Sequence, residues 1–191
     1  VEWLDADGMA FHEHYLATSF RMGFRLPGMC QVRNPRHLKA LHAGCLHRGV
    51  RLIAGVPVVD WQVSGDKVLA ARDLSSDSKI SGSAFVIASG AWTQRLFNPL
   101  GLSTSIVPVR GQIVLLNSAP GLLKHIVEVG PRYLVPRSDG RILAGSTEEW
   151  VGFQKGNTAE GVESLLEFAI RLIPELKNAD RKSTRLNSSH T

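Results

Sequence analysis

Two arginines flank a tyrosine in the stretch RYLVPR, which spans residues 132–137. A guanidinium group binds a carboxylate through two parallel hydrogen bonds, so Arg132 and Arg137 are candidates for holding an acidic small molecule. If the stretch is a β-strand, alternation places Tyr133 and Arg137 on one face and Arg132 on the other. The simpler alternative is that Tyr133 is an ordinary half-buried strand residue.

The stretch FVIASGAWT, residues 85–93, begins as an apolar strand and then loses its bulk. Residues 88–91 are nearly bare backbone, and Trp92 follows them. Ligands of doubly wound sheets bind outside the carboxyl ends of the strands, so a strand end of this kind predicts close approach of a ligand to the backbone. Ser89 is not predicted to be a nucleophile, because IASGA lacks the G-x-S-x-G pattern. Close helix–strand packing is the alternative explanation of the small residues.

The elements around this stretch predict a mixed α/β arrangement. Residues 33–53 predict a helix followed by a strand, with Asn34 as N-cap and Gly49 as the C-terminal stop. Residues 57–74 predict a β-hairpin, and residues 79–89 predict a further strand. The predicted buried stripe of the helix consists of Leu38, Leu41, Cys45 and Leu46.

A second style of structure begins near residue 104. Short strands predict an antiparallel sheet, with a tight hairpin turn at Asp139-Gly140. A helix is predicted from about residue 158 to residue 173, with Asn157 and Glu160 as a capping box and Pro174 after its end.

Composition excludes several classes of protein. The chain has 191 residues, 43% of them hydrophobic and 20% charged, which is typical of an ordinary globular protein. No apolar run reaches the roughly 20 residues that span a bilayer, so we expect no membrane span and a cytoplasmic location. The net charge of +5 comes with no basic block before residue 180, so no nucleic-acid partner is expected. Neither a disulfide nor a metal site is predicted from the cysteines and histidines.

Several stretches, in this order and at this spacing, resemble the flavin-dependent amino-acid oxidases of the D-amino-acid oxidase superfamily. The resemblance covers about residues 25–179 and is strongest to the glycine oxidases that serve thiamine thiazole synthesis. The stretches are QVRNPRHLKAL, FVIASGAWT, VPVRGQIVLL and RYLVPRSDGRILAGSTEEWVGF.

The resemblance implies FAD as cofactor and assigns roles to residues of this chain. In such enzymes the strand end that matches Ala88, Ser89, Gly90 and Trp92 runs along the adenosine half of FAD. The backbone at Val58 matches a position that holds the adenine. On the antiparallel sheet, Tyr133 matches a phenol that donates a hydrogen bond to the carboxylate of the amino acid. Arg137 is a second candidate for substrate binding, and no catalytic acid–base residue is implied.

The resemblance implies oxidation of a small amine or amino acid, with glycine first, and oxygen as the electron acceptor. Ammonia and hydrogen peroxide would be released, and a homo-oligomer is left open. Enzyme alternatives are a D-amino-acid dehydrogenase, a sarcosine-type oxidase and a 2-hydroxy-acid dehydrogenase. A noncatalytic half-Rossmann binding module is the alternative from another class, because fold does not fix function.

The fold expectation is part of a Rossmann-like FAD-binding domain with a β-meander, plus part of an antiparallel-sheet substrate domain. We assign residues 25–104 to the first domain and 105–179 to the second. Residues 1–24, with a short helix near HEHYLATSFRMGF, are expected to be the end of a substrate-domain segment or a linker. Residues 180–191 resemble the in-frame translation of a sequencing adapter and are expected to be a non-native tail. No G-x-G-x-x-G loop occurs, so we expect the chain to be an internal fragment without turnover of its own.

Overall fold

The computed structural model describes residues 1–73 and 78–187, and for 180–187 only the backbone. The chain divides into two compact units. Unit 1 joins Val1–Gln31 to the chain from Val109 onward, and unit 2 runs from Val32 to Pro108. In chain order the elements are β1 (Glu2–Asp5), α1 (Ala6–His12), β2 (Met22–Arg25), α2 (Asn34–His47), β3 (Val58–Ser64), β4 (Lys67–Asp73), β5 (Lys79–Ser81), α3 (Thr93–Phe97), β6 (Gly111–Asn117), β7 (Val127–Val129), β8 (Arg132–Pro136), β9 (Arg141–Gly145), α4 (Ala159–Leu172) and β10 (Asp180–Asn187).

Unit 1 is built on a five-stranded antiparallel sheet in the order β10-β6-β9-β8-β7. The predicted tight turn between β8 and β9 is confirmed, and Gly140 there has a φ of 83°, which glycine adopts without strain. The four strands β6 to β9 also match the sequence prediction. The mixed α/β fold class with an antiparallel sheet is therefore confirmed.

Helix α4 covers one face of this sheet and forms the core of unit 1. Its apolar residues recur at helical spacing, so they form one stripe that buries against the strands. The predicted cap is wrong by one residue: Thr158, not Asn157, accepts the hydrogen bond from the Gly161 N–H, at 3.1 Å. The core consists mainly of Val114, Leu116, Leu134, Ile142 and Ala144 from the sheet and Val162, Leu165, Phe168, Ala169 and Leu172 from the helix.

The N-terminal segment belongs to unit 1 and differs from the prediction. Strands β1 and β2 pair antiparallel around α1, whereas a short helix over residues 12–24 was expected. Glu13, which is 6% exposed, ties this segment to the loop before β7. Its carboxylate accepts hydrogen bonds from the Lys124 N–H at 3.1 Å and from the His125 ring at 2.7 Å.

Strand β10 pairs antiparallel with β6 along its whole length, with one register shift between Arg181 and Ser183. The sequence of this stretch predicts no helix or strand. A strand edge offers backbone donors and acceptors that pair with little regard to sequence, which is why a polar segment can add there. The non-native origin expected for residues 180–191 stays a prediction.

Unit 2 contains α2, the antiparallel meander β3-β4-β5 and the short helix α3. The predicted helix, hairpin and meander are confirmed, although α2 begins at Asn34 with Arg33 as its cap residue and without a side-chain cap. Among the described residues of the whole chain, no helix has the length and apolar character needed to cross a bilayer.

Of the strands predicted in unit 2, the one after α2 is not formed, and the one over residues 79–89 forms only at its start, as β5. The stretches 50–54 and 84–89 lie outside the hydrogen-bonded strands, because the described residues give neither one a pairing strand. The predicted stripe of α2 is not buried either: Leu38 is 64% exposed, and Leu41 and Leu46 are each 52% exposed. Parallel strands are buried only when helices cover the sheet, and such helices bury their apolar stripe only against a sheet. The predicted strands and the predicted buried stripe of α2 therefore fail for the same reason.

Candidate functional site

The face of the unit 1 sheet opposite α4 is the candidate substrate surface. Alternation along each strand sends one set of side chains into the core and the other set to this open face. The strand register aligns Ile113, Gly145 and Tyr133 across β6, β9 and β8. The half-exposed side chains on this open face include Ile113, Leu115, Tyr133, Val135 and Leu143.

Tyr133 lies on this open face, on β8, opposite the last residue of β9. Its cross-strand neighbours are Gly145 on β9 and Glu128 on β7. A Cβ atom built on Gly145 would lie 2.8 Å from the Tyr133 hydroxyl oxygen, so the phenol end of the ring lies over the bare backbone of Gly145. The described part of the open face therefore combines apolar side chains of β6, β8 and β9 with the Tyr133 hydroxyl and the exposed Glu128 of β7.

The two arginines that flank Tyr133 have different surroundings. Arg132 points to the helix side, where it donates to the Ser164 carbonyl at 2.9 Å and its guanidinium lies 5.9 Å from the centre of the Phe168 ring. Arg137 donates to the side-chain oxygen of Gln31. Gln31 in turn donates to the Pro136 carbonyl at 2.9 Å.

Arg137 is four residues beyond Tyr133 on the same side of the chain. At about 3.3 Å per strand residue, their Cα atoms lie roughly 13 Å apart. The two side chains would have to lean toward each other to hold one small carboxylate. The substrate role of Arg137 stays a prediction, and one of its contacts is with Gln31.

A polar network at the start of β6 was not found from the sequence. Glu149 accepts hydrogen bonds from Arg110, from the Gln112 amide at 2.6 Å and from the Thr147 hydroxyl at 2.6 Å. Gln112, which is fully buried, also accepts from the Thr158 N–H at 2.8 Å, so the network reaches the cap of α4. Of these contacts, only the helix cap can be recognised from a local sequence pattern. Glu149 and Gln112 are 37 residues apart in the chain, so their contact leaves no such pattern.

The network changes the acidity of Glu149. Partial burial alone would raise its pKa, because it disfavours the charged form. Hydrogen bonds from Thr147, Arg110 and Gln112 outweigh burial, and the pKa of Glu149 is lowered from its ordinary value. Glu149 is therefore an ionised anchor for Arg110, which the sequence analysis did not assign to the substrate.

The small-residue segment of unit 2 has an open backbone. Ala88 is exposed, and Ser89 and Gly90 are half-exposed. Gly90 has a φ of 53°, which favours glycine, and a single 3-10 turn begins there. The Thr93 hydroxyl donates to the Gly90 carbonyl at 2.7 Å and fixes this turn. Trp92, the last residue of this turn, is 40% exposed.

Val58, the other predicted cofactor contact, begins β3 and is half-buried. Three residues later, Trp61 connects β3 to the small-residue segment. Its indole N–H donates to the Leu96 carbonyl at 2.8 Å, and its ring lies 5.6 Å from the Phe85 ring. The structure thus holds the strand of Val58 and the segment of Ala88 to Gly90 in one body.

These residues fit the approach of a nucleotide to the backbone. No large side chain of the segment 88–90 covers its own main chain, and its backbone is accessible on the surface of unit 2. The positive φ of the turn also favours glycine at position 90. The absence of a side chain there therefore has a second explanation, which does not involve a ligand.

Comparisons with known proteins identify the family of the chain. The family model described as FAD dependent oxidoreductase matches residues 1–186. A glycine oxidase from Pseudomonas aeruginosa is 38% identical over 162 residues, which cover 84% of this chain and 44% of that protein. The hydrogen cyanide synthase subunit HcnC of the same organism is 30% identical, over 96% of this chain and 44% of its own length.

A solved structure shows the same likeness in the fold. The crystal structure of glycine oxidase from Bacillus cereus superimposes with a TM-score of 0.91 at 26% identity, covering 100% of this chain and 53% of that one. The family match and the fold thus define a flavoprotein oxidoreductase. The chain belongs to the family of FAD-dependent oxidoreductases, and it spans less than half the length of the curated relatives named here.

Proposed function

We propose that the protein represented by this chain is an FAD-dependent oxidase of a small amine or amino acid, with glycine as the first candidate substrate. The observation that carries the proposal is the 38% identity to a glycine oxidase over 84% of this chain. The open sheet face with the Tyr133 phenol supports it, because apolar side chains there lie beside an oriented polar group.

FAD, when bound, supplies the redox chemistry by accepting a hydride from the substrate α-carbon and passing the electrons to oxygen. The net reaction converts the amine, oxygen and water into an oxo acid, ammonia and hydrogen peroxide. The residues of the chain have to bind and align the substrate, which is where most of the protein's contribution lies. An acid–base pair is not required if the amine arrives deprotonated.

Tyr133 is the proposed substrate anchor. Its hydroxyl donates a hydrogen bond to the substrate carboxylate, and the apolar neighbours on the open face exclude water around that contact. A charge-assisted hydrogen bond of this type is stronger than a neutral one. Arg137 is the proposed second contact, and it would have to exchange its bond to Gln31 for one to the substrate.

The proposed cofactor contacts are in unit 2. The backbone of Ala88, Ser89 and Gly90 approaches the adenosine half of FAD, and Trp92 flanks this segment. The backbone of Val58 holds the adenine, which explains why a side chain without hydrogen-bonding groups is acceptable there. Backbone amides and carbonyls suit this role because their positions are fixed by β3 and by the turn at Gly90.

The 191-residue chain by itself is expected to hold FAD weakly and to have no turnover. A G-x-G-x-x-G loop would cradle the pyrophosphate at a helix N-terminus, and the sequence contains none. Equilibrium dialysis of the chain against FAD measures this directly. Tight stoichiometric binding would contradict the expectation.

The main experiment uses a protein extended to the length of the relatives. It is expected to purify yellow, to be bleached by glycine under nitrogen and to release hydrogen peroxide in air. A protein without flavin, or with a flavin that no small amine reduces, would refute the proposal. The 30% identity to a hydrogen cyanide synthase subunit favours one second candidate, a cyanide-forming enzyme. Cyanide without peroxide in the same assay would support that candidate.

A further inference from the structure

The position of the Tyr133 hydroxyl depends on a glycine of the neighbouring strand. Tyr133 and Gly145 are direct partners in the pairing of β8 with β9. A Cβ on Gly145 would lie 2.8 Å from both the hydroxyl oxygen and Cζ of Tyr133, and 2.9 Å from Cε2. Contacts this short are not tolerated between carbon and ring atoms, so the ring end occupies the space that any other residue would need.

A positive φ does not explain this glycine, because Gly145 is not among the glycines whose φ lies in the left-handed region. It lies within a paired strand, where glycine costs conformational entropy and contributes no side-chain packing. Gly145 is buried, and the ring of the half-exposed Tyr133 lies over it. In this arrangement an aromatic ring on one strand covers a glycine on the neighbouring strand.

The direction of the ring has a chemical consequence. The phenol leans over β9 toward the middle of the row that Ile113, Gly145 and Tyr133 form. A methyl group at position 145 would push the end of the ring away from β9. The clash falls on the far end of a half-exposed side chain, so the ring can move while the sheet stays intact.

We infer that Gly145 is a positioning residue, which sets the location of the Tyr133 hydroxyl on the open face of the sheet. The consequence for catalysis rests on the proposed function, in which this hydroxyl binds the substrate carboxylate. The geometric part does not depend on it. Gly145 thereby helps determine which small amino acids the face accepts, because the anchoring hydroxyl is held over β9.

The test of the geometry uses the chain labelled with 3-fluorotyrosine. The sequence has two tyrosines, Tyr15 and Tyr133, so the fluorine spectrum contains one signal from each, and Tyr133→Phe assigns them. Gly145→Ala is expected to shift the Tyr133 signal and to leave the Tyr15 signal in place. Gly44→Ala is the matched control, since a Cβ there meets nothing within 4 Å, and it is expected to shift neither signal.

A folded Gly145→Ala protein with an unchanged Tyr133 signal would overturn the inference. If Gly145→Ala is too unstable for spectra, the melting temperatures of Tyr133→Ala and of the double variant Tyr133→Ala/Gly145→Ala decide. The inference expects the added methyl group to be tolerated once the ring is removed. An equal loss of melting temperature with and without the ring would contradict it.

The kinetic arm uses the extended enzyme. Gly145→Ala is expected to raise KM for the amino acid about 2- to 10-fold, the equivalent of one hydrogen bond, with little change in kcat. In a Tyr133→Phe background the same substitution should change KM by less than about 2-fold, because no hydroxyl remains to be moved. Equal effects in both backgrounds would refute the positioning role. An inactive parent enzyme would refute the proposed function and leave the fluorine result standing.

Discussion

Arg110 and Glu149 are joined by both backbone and side chains. The Arg110 N–H donates to the Glu149 carbonyl at 2.9 Å, and the Glu149 N–H donates to the Arg110 carbonyl at 2.9 Å. Their side chains form an ion pair in which Arg110 is 12% and Glu149 23% exposed. This pair fixes the chain at the point where it enters β6, and through Gln112 it is connected to the cap of α4.

The ion pair is expected to contribute to stability as a unit. In a double-mutant cycle of Arg110→Ala and Glu149→Ala, we expect a coupling free energy of about 1–3 kcal/mol, because both groups are partly buried and charged. Urea unfolding of the four proteins measures it. The more exposed pair Arg141–Asp139 serves as control and should couple more weakly. Additive effects at Arg110 and Glu149 would show that the pair contributes nothing of its own.

Acid should weaken this network. The folded-state pKa of Glu149 lies below its ordinary value, so its ionised form contributes stability that is fully present above the unfolded-state pKa of about 4.3. That contribution is lost as the pH falls through the folded-state pKa. We expect the difference in unfolding free energy between the parent and Glu149→Gln to be constant near pH 7 and to shrink below about pH 4.3.

Urea unfolding at a series of pH values measures this difference. Glu163→Gln on the exposed side of α4 is the control for a carboxylate outside the network. A parent-to-variant difference that stays constant down to about pH 3 would contradict the linkage.

Two helical glycines are expected to respond to alanine in opposite directions. A Cβ on Gly161 in α4 would overlap the carboxamide of the buried Gln112, whereas a Cβ on Gly44 in α2 meets nothing within 4 Å. Gly161→Ala should lower the free energy of unfolding by about 1–3 kcal/mol, because it displaces Gln112 from its hydrogen bonds. Gly44→Ala should raise it by about 0.5–1 kcal/mol through helix propensity. Thermal melts of both variants test this pair, and a shift of the same sign in both would count against the packing argument.

The parts of the fold that the sequence predicted are those that a local pattern specifies. Strands β8 and β9 are joined by a turn with its own residue signature, and α4 carries a complete apolar stripe that ends before Pro174. The stripe of α2 was equally clear, yet its leucines are exposed, because burial requires a partner surface that a helical pattern cannot specify.

The site was predicted only in part for a similar reason. Tyr133 and its face follow from alternation along one strand, and the open backbone near Gly90 follows from side-chain size. The Gly145 contact and the Glu149 network join residues that are distant in the chain, so they leave no local pattern. Long-range contacts of this kind become visible only when the strand register is known.

The cofactor contact at Gly90 can be tested without straining the backbone. Valine would be a poor choice, because a β-branched residue does not tolerate the φ of 53° found there. Asparagine tolerates such values and still adds a side chain. In the extended enzyme, Gly90→Asn should weaken FAD binding by roughly tenfold, or about 1.4 kcal/mol.

Fluorescence titration of the apoprotein with FAD measures this affinity. Gly101→Asn, at a second glycine of unit 2 with positive φ and open space around it, should leave the affinity unchanged. Unaltered FAD affinity in Gly90→Asn would remove this segment from the cofactor site.

Removal of one oxygen atom tests the substrate anchor. In the extended enzyme, Tyr133→Phe keeps the ring that covers Gly145 and deletes only the hydroxyl. KM for glycine should rise about 2- to 10-fold, in line with one lost hydrogen bond, while kcat changes little because the ring keeps its place on the sheet. Peroxide release at a series of glycine concentrations gives both constants. Tyr15→Phe is the matched control, because Tyr15 lies in a loop of unit 1 against His14 and outside the sheet, and it should behave as the parent enzyme. Equal kinetics for Tyr133→Phe and Tyr15→Phe would exclude the Tyr133 hydroxyl from substrate binding.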